Sequence, residues 1–183
     1  MVIFFDKFNI ISDEKYKLLY SFLPQTRKQK VDKTKDENSK KIQIVEYFLL
    51  KKYLGFCTVK DFSYNQFGKP YILGEKNFSI SHTKNALVIA ISENEIGIDI
   101  QKISKINDKI IQKTCKASEQ KILQNSKNKD EQFAILWTMK ESYVKLFGKS
   151  IFLDTKNILN DKNGVNFKTI KKDNYIITIC TKK

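Results

Sequence analysis

The segment Gly97-Ile98-Asp99-Ile100-Gln101 places a carboxylate in the middle of a predicted strand. Because side chains alternate along a strand, Asp99 and Gln101 share one face, and the isoleucines lie on the other. Aspartate is depleted in strands and is seldom buried unless it is paired or bound to a metal. Mg²⁺ often binds one or two carboxylates and completes its shell with water and substrate phosphates. Asp99 is therefore a candidate Mg²⁺ ligand, and an aspartate on a solvated strand face is the alternative.

A second pair of candidates lies on the helix predicted over 131–147, where Glu141 and Lys145 stand about one turn apart. They flank an apolar stripe that contains Phe133, Leu136, Trp137, Val144 and Phe147. Lys140 falls inside this stripe, so its ammonium group needs an anionic or carbonyl partner. Glu141 and Lys145 form either a surface ion pair, which contributes about 0.3–0.5 kcal/mol, or a pair that faces a cleft.

A third group of candidates could hold phosphate. Gly68-Lys69-Pro70 is a tight basic turn, and Ser81-His82-Thr83 ends a predicted strand with a hydroxyl, an imidazole and a hydroxyl. These groups can donate hydrogen bonds to phosphate oxygens. His82 is the only histidine in the chain, and a lone histidine is often structural, so both roles stay open.

The elements that must position these residues follow from the hydrophobic periodicity. Strands are predicted at 2–5, 78–81, 86–91, 96–101, 164–170 and 175–181. The turn residues Ser92 to Glu95 predict that 86–91 and 96–101 pair as a hairpin. A first helix is predicted after a Ser12 cap, and a second along the apolar stripe Ile42, Val45, Leu49 and Tyr53, ending at Gly55. Two more are predicted over 106–124 and over 131–147, the last of them beginning at a capping box of Asn128 with Glu131. No helix or strand is predicted for the polar, lysine-rich stretch 26–41. This order favours an α+β fold with largely antiparallel sheet.

The composition indicates an anionic ligand or partner, because 34 Lys+Arg against 20 Asp+Glu give a net charge of +14. No apolar run approaches the roughly 20 residues that span a bilayer, and the N-terminus lacks signal-peptide features, so we expect a cytoplasmic protein with no membrane partner. Cys57, Cys115 and Cys180 are far apart and lack CxxC spacing. They are predicted to be reduced thiols and to form neither a disulfide framework nor a zinc site.

Four motifs together resemble the signatures of the 4'-phosphopantetheinyl transferase family, surfactin-synthetase-activating type. They are GKP at 68–70, FSISHT at 78–83, GIDIQKI at 97–103 and LWTMKESYVKLFGKSI at 136–151. The resemblance implies an α+β fold of two similar, pseudo-symmetric lobes, each an antiparallel sheet with packed helices. The lobes would be 1–95 and 96–183, with the active site in the cleft between them. The second lobe would carry the metal site and the catalytic helix.

The resemblance further implies a holo-[carrier protein] synthase that moves 4'-phosphopantetheine from coenzyme A to a serine of an apo acyl or peptidyl carrier protein and releases 3',5'-ADP. Glu141 and Lys145 would be catalytic. Asp99 and Glu141 would hold Mg²⁺, with Gln101 contributing directly or through a water at a place where this type usually has a second acid. Coenzyme A would contact Lys28, Lys41, Gly68, Lys69, Pro70, Ser81, His82, Thr83 and Lys145. Members of this type are typically monomers.

Two other functions remain open at this point. The first is an inactive homologue that still binds coenzyme A or a carrier. Gln101 supports this alternative, because it removes one negative charge from the metal site. A basic nucleic-acid-binding domain would account for the charge and for the eight tyrosines and thirteen phenylalanines. That second function would require aromatic side chains interleaved with basic ones on an exposed sheet, whereas these aromatics mostly occupy core-periodic positions, and no nucleic-acid-binding signature appears, so we expect no nucleic-acid partner.

Overall fold

The computed structural model describes residues 1–56, 60–148, 155–160 and 162–183. The helices are α1 Asp13–Ser21, α2 Gln25–Lys33, α3 Glu37–Leu54, α4 Asp108–Thr114, α5 Ala117–Gln124 and α6 Lys129–Leu146. The strands are β1 Val2–Phe5, β2 Ser63–Tyr64, β3 Pro70–Tyr71, β4 Asn77–His82, β5 Leu87–Ser92, β6 Ile96–Lys102, β7 Val165–Lys172 and β8 Tyr175–Lys182. Short 3₁₀ turns lie at Phe8–Ile10 and Lys162–Gly164.

Capping residues begin and end several helices where the sequence predicts it. Ser12 Oγ accepts a hydrogen bond from the Lys15 amide at the start of α1, and Asn128 Oδ1 accepts one from the Glu131 amide at the start of α6. Gly55 ends α3 with φ +81°, a conformation that costs glycine no steric strain. The Glu131 carboxylate bonds the Asn128 side-chain amide, so only half of the predicted capping box forms.

Two helix predictions need correction. The predicted helix 106–124 is divided into α4 and α5, because the Thr114 carbonyl accepts from Lys140 and the Glu119 carboxylate accepts from the Lys116 amide, which starts a new helix. The lysine-rich stretch 26–41, for which no element was predicted, contains α2 and the start of α3.

The buried face of α3 is broader than the predicted stripe. Ile42 and Val45 are buried, but Tyr53 is 38% exposed, while Tyr47 and Leu50 are completely buried. The reason is that α3 contacts α1, α2 and β5, so it has neighbours on more than one side. A single row of residues at spacings of three and four therefore describes only part of its packing.

The described strands form three antiparallel sheets, with orders β1-β5-β4, β2-β3 and β6-β8-β7. The predicted hairpin between 86–91 and 96–101 is wrong. Strand β6 pairs with β8, and Asp99 lies opposite Thr178, while β5 pairs with β1 and β4. The turn Ser92 to Glu95 thus leads the chain from one sheet into the next.

The isoleucines of β6 explain this change of sheet. Ile96, Ile98 and Ile100 pack against Ala86, Val88 and Ala90 beside and within β5, which forms an apolar layer between the two three-stranded sheets. The other face of β5, with Leu87, Ile89 and Ile91, joins the core beneath α1 to α3. Since β5 is buried on both faces, it reads as a continuous apolar run.

The α+β class with antiparallel sheets is confirmed. The predicted boundary at 95 and 96 falls between β5 and β6, and the similarity of the two predicted lobes remains a prediction. Within the described part of the chain, none of the helices has the length and apolar character that crossing a bilayer requires.

Candidate active site

Asp99 lies at the centre of a cluster of side chains from β4, β6 and α6. Its side chain is 2% exposed, and its Oδ1 accepts hydrogen bonds from Ser81 Oγ at 2.6 Å and from Lys145 Nζ at 2.7 Å. Its Oδ2 accepts from Gln101 Nε2 at 3.1 Å, so Gln101 shares the face of Asp99 as strand alternation predicts. Asp99 is therefore buried and paired on both oxygens, and the alternative of a solvated strand face is wrong.

The serines of β4 connect the two main sheets at this point. Both Ser79 and Ser81 are buried, although their alternation with Phe78 and Ile80 resembles a strand with one solvated face. Ser79 Oγ accepts from the Ile98 amide at 3.0 Å, and Ser81 Oγ donates to Asp99. Small hydroxyl side chains thus join β4 to β6 along the side of β6 that has no ladder partner among the described strands.

Helix α6 approaches β6 closely because the residues between them are small. A side-chain carbon at Gly97 would fall far inside van der Waals contact with the Ser142 carbonyl oxygen. Thr138 Oγ1 and Thr178 Oγ1 are 2.7 Å apart and buried. This contact fixes the height of α6 over the sheet and holds Glu141 and Lys145 beside Asp99.

The predicted apolar stripe of α6 is therefore incomplete. Leu136 and Val144 are buried, but Phe147 is 36% exposed and Trp137 is half-buried against Phe133, with the two rings stacked at 6.1 Å between centroids. Three small side chains spaced four residues apart on α6 are also buried and face the sheet: Ala134, Thr138 and Ser142. Hydrophobic periodicity does not detect this row, because two of its members are polar.

Glu141 is half-buried on α6, and its environment disfavours the charged carboxylate. Burial raises the pKa of Glu141 above its ordinary value, and the nearby charge of Asp99 raises it further, while Lys145 opposes the increase. A carboxyl group whose pKa is raised is a stronger base when it is ionised. Two carboxyl groups and one ammonium thus share this site. When both carboxyl groups are ionised, one negative charge is left uncompensated among the three, which a cation could neutralise.

Lys140 is the buried ammonium that the sequence predicted to need partners. Its Nζ donates to Glu119 Oε2 at 2.7 Å, to the Thr114 carbonyl at 2.7 Å and to the Thr155 carbonyl at 2.9 Å. All three ammonium hydrogens are used, and the prediction is confirmed. The pair ties α6 to the junction of α4 and α5, and Glu119 is a residue whose role the sequence alone did not reveal.

The basic turn Gly68-Lys69-Pro70 lies between β2 and β3 and contacts the end of α6. Lys69 Nζ donates to the carbonyls of Ile96 at 3.1 Å and Leu146 at 3.3 Å, and Asn65 Nδ2 donates to the Gly148 carbonyl at 3.3 Å. Burial lowers the pKa of Lys69. Within the described residues, backbone carbonyls engage two of its three ammonium hydrogens, which leaves the third for a ligand. Gly68 takes φ +84° in this turn.

His82 ends β4 next to Ser81, and Thr83 follows it. His82 is exposed, and Thr83 Oγ1 is buried without a hydrogen-bond partner in the described residues. A buried hydroxyl without a partner is uncommon in proteins, and such a group often meets a water or ligand. Pro70 is half-buried at the start of β3.

The N-terminal lysines proposed for coenzyme A are engaged elsewhere. Lys28 Nζ donates to the Ser21 carbonyl at 2.8 Å, and Lys41 Nζ bonds Asp13 Oδ1 at 2.6 Å and lies over the Tyr16 ring. Lys41 lines a cavity of about 530 Å³ whose charged side chains are Asp13, Lys17, Asp32, Glu37, Lys40 and Lys41. Among the described contacts, neither lysine touches the cluster around Asp99.

The donor set suits a hard cation. Oxygen donors on two adjacent elements, from Asp99 and Glu141, and the amide of Gln101 match the ligands that Mg²⁺ uses together with water. Among the described residues, Asp99 Oδ2 accepts one hydrogen bond, from Gln101, which leaves a lone pair for a cation. In residues 1–56, 60–148, 155–160 and 162–183, no three His, Cys, Asp or Glu side chains gather to form a metal site.

Known proteins share this part of the chain. Residues 95–182 match a family model described as the 4'-phosphopantetheinyl transferase superfamily. The 4'-phosphopantetheinyl transferase gsp of Aneurinibacillus migulanus is 37% identical over 117 residues, which cover 61% of this chain and 49% of that protein. The 4'-phosphopantetheinyl transferase Sfp of Bacillus subtilis strain 168 is 39% identical over 97 residues, or 50% of this chain and 43% of that protein.

A shorter relative matches as well. A holo-[acyl-carrier-protein] synthase of Petrotoga mobilis is 35% identical over 72 residues, which cover 38% of this chain and 60% of that protein. The chain spans about half the length of the gsp and Sfp proteins that it matches. The matched residues 95–182 contain Asp99, Gln101, Glu141 and Lys145. The resemblance carried by the sequence motifs is confirmed: this chain is similar to the Sfp-type enzymes, and its residues 95–182 match the 4'-phosphopantetheinyl transferase superfamily.

Proposed function

We propose that this protein transfers the 4'-phosphopantetheine group of coenzyme A to a serine hydroxyl of an apo acyl or peptidyl carrier protein and releases 3',5'-ADP. The observation that carries the proposal is the cluster of Asp99, Glu141 and Lys145 within the stretch that matches the transferase superfamily. Its acidic centre and flanking ammonium suit a reaction between a hydroxyl group and a diphosphate.

The reaction forms one phosphorus–oxygen bond and breaks another. The serine oxygen attacks the phosphorus that bears the pantetheine group, and the bond from that phosphorus to the bridging oxygen breaks. The electron pair leaves with 3',5'-ADP. Glu141, whose raised pKa makes its carboxylate a better base, takes the serine proton directly or through a water.

Lys145 would contribute by offsetting negative charge on the phosphate oxygens, since its side chain is partly exposed and its ammonium reaches the acidic centre. Asp99, Glu141 and Gln101 would hold Mg²⁺, with Gln101 turning its amide oxygen toward the ion. When bound, Mg²⁺ supplies further positive charge against the diphosphate. Ser81 contacts Asp99 from β4, and Ser81, His82, Thr83 and the turn at 68–70 would contact coenzyme A.

Two engaged lysines are weaker candidates within this proposal. Binding of the 3'-phosphate by Lys41 would require breaking its pair with Asp13, and Lys28 would leave the Ser21 carbonyl. Both residues remain proposed contacts, since exposed ion pairs are weak and exchange readily.

We also propose that the protein acts as a monomer in the cytoplasm. Cys115 and Cys180 are buried free thiols, in keeping with a reducing compartment, and Cys57 lies outside the described residues. Sedimentation at several protein concentrations tests the oligomeric state, and a concentration-dependent dimer would contradict it.

The test is an incubation with coenzyme A, Mg²⁺ and an apo carrier protein, followed by the intact mass of the carrier. A gain of one phosphopantetheine is expected. An unchanged carrier mass in spite of measurable coenzyme A binding would identify an inactive homologue, for which the amide at Gln101 is the specific observation. An unchanged mass without coenzyme A binding would reject the family function for this chain.

A further inference from the structure

Lys145 places its ammonium on the Asp99 carboxylate, where a divalent cation would also bind. Its Nζ lies 2.7 Å from Asp99 Oδ1, and its side chain is 27% exposed, whereas that of Asp99 is 2% exposed. Within the described residues, this ammonium is the cation in ion-pair contact with Asp99. A buried carboxylate with no positive partner would be costly, so Lys145 compensates it in the free protein.

The surroundings of Asp99 allow this compensation to change. Ser81 and Gln101 hold the carboxylate from β4 and β6, and these neutral contacts do not depend on Lys145. Lys145 belongs to α6, and its partly exposed, flexible side chain can move its ammonium while the helix stays fixed by Gly97 and Thr138. Asp99 thus keeps two contacts that do not involve Lys145, and the Lys145 side chain has solvent on one side into which it can move.

We infer that Lys145 and a divalent cation exchange places on Asp99. The ammonium holds Asp99 Oδ1 in the free protein, and it moves to the diphosphate of coenzyme A when the cation binds. This inference rests on the proposed function, which supplies both the cation and the diphosphate.

The exchange has a thermodynamic consequence. Without a diphosphate, an incoming cation competes with the Lys145 ammonium for the Asp99 carboxylate and stands beside a like charge, so it binds weakly. With a diphosphate present, the displaced ammonium gains a new anionic partner. Cation and coenzyme A therefore bind with positive coupling, and by linkage each raises the affinity for the other by the same factor.

The experiment measures Mn²⁺, as a paramagnetic substitute for Mg²⁺, by electron paramagnetic resonance of the free ion, with and without coenzyme A and with no carrier protein. Lys145→Met removes the ammonium and keeps much of the side-chain length. In the absence of coenzyme A, this variant should bind Mn²⁺ about tenfold more tightly than the parent, and its affinity for coenzyme A should fall. The factor by which coenzyme A raises Mn²⁺ affinity should also be about tenfold smaller in this variant than in the parent.

Two further variants separate this exchange from a simple change of net charge. Lys102→Met removes one exposed positive charge from the same strand as Asp99, and it should leave Mn²⁺ affinity within about twofold of the parent. Lys145→Arg keeps the charge and can bind Asp99 with two hydrogen bonds, so it should weaken Mn²⁺ binding. If Lys145→Met fails to fold, the arginine variant alone still tests the direction.

An Mn²⁺ affinity of Lys145→Met equal to or below that of the parent would overturn the exchange, and so would an unchanged coupling factor. Tighter Mn²⁺ binding by Lys145→Arg would overturn it as well. These results are distinct from failure of the proposed function. A parent protein that modifies its carrier while Lys145→Met shows no gain in Mn²⁺ affinity retains the function and loses the exchange. A parent protein that does not modify its carrier, while Lys145→Met binds Mn²⁺ more tightly and with weaker coupling to coenzyme A, loses the function and retains the exchange.

Discussion

Glu141 combines burial with a neighbouring negative charge, and this combination should be measurable as a loss of stability. Its raised pKa means that the folded protein holds this proton more tightly than the unfolded chain does. Stability therefore falls as the pH rises from the unfolded pKa, about 4.3, through the raised folded pKa. Below the unfolded pKa the carboxyl group is neutral in both states and the penalty vanishes.

We predict that Glu141→Gln increases the free energy of unfolding at neutral pH and leaves it nearly unchanged near pH 4, because the amide carries no charge at either pH. Urea denaturation of parent and variant across this pH range measures the difference. Glu93→Gln, which removes an exposed carboxylate paired with Lys76, is the control and should give no such gain. Equal stability of parent and Glu141→Gln at neutral pH would mean that Glu141 bears no electrostatic penalty.

A second prediction at the residue scale concerns Gln101, whose amide lies 3.1 Å from Asp99 Oδ2. Gln101→Glu should lower the Mg²⁺ concentration that gives half-maximal transfer, because a third carboxylate would face the cation from the same side of β6. The rate at saturating Mg²⁺ should change little. Titration of initial rate against Mg²⁺ in parent and variant provides the measurement, and superimposable curves would exclude Gln101 from the cation site.

The close contact between α6 and β6 is the element-scale feature on which the site depends. Gly97→Ala would place a carbon against the Ser142 carbonyl and force α6 away from the strand, at a cost of about 1–3 kcal/mol or more. Gly164→Ala is a matched control, because a carbon added there meets open space. Chemical denaturation compares them. A Gly97→Ala protein as stable as the Gly164→Ala protein would show that α6 can shift freely.

Sequence reasoning succeeds for elements whose signals are local. The caps at Ser12 and Asn128 and the end of α3 at Gly55 follow from single residues, and they are confirmed. The hairpin of 86–91 with 96–101 is wrong because turn residues predict that the chain reverses but not which sheet receives the next strand. That choice depends on the packing of Ile98 and Ile100 against Val88 and Ala90, which only the folded chain brings together.

The same distinction holds at the candidate site. Alternation along β6 correctly predicts that Asp99 and Gln101 share a face, and the break in the stripe of α6 correctly predicts a paired Lys140. The sequence did not indicate that Ser79 and Ser81 would join two sheets or that Lys69 would reach the carbonyls at the end of α6. These contacts join residues that are 18 to 77 positions apart, and no local pattern records them.

The net charge of +14 acts at the scale of the whole molecule. In the segment that follows β6, Lys105, Lys109 and Lys113 are exposed. Lys116, in the same segment, is half-buried and bonds Asn160. An acidic carrier protein should therefore associate faster at low salt, with a rate that falls as the ionic strength increases. Stopped-flow association between low and physiological salt tests this. A flat salt response would mean that these lysines are only solvated charge.

The most direct test of the proposed transferase is single-turnover modification of an apo carrier protein, followed by intact mass, with saturating coenzyme A and Mg²⁺. Asp99→Asn and Glu141→Gln are close in size to the parent side chains and should lower the rate by at least about 100-fold. Both proteins should stay folded, and Lys102→Met should keep the parent rate. Transfer at the parent rate by either carboxylate variant would contradict the assignment of this cluster as the catalytic site.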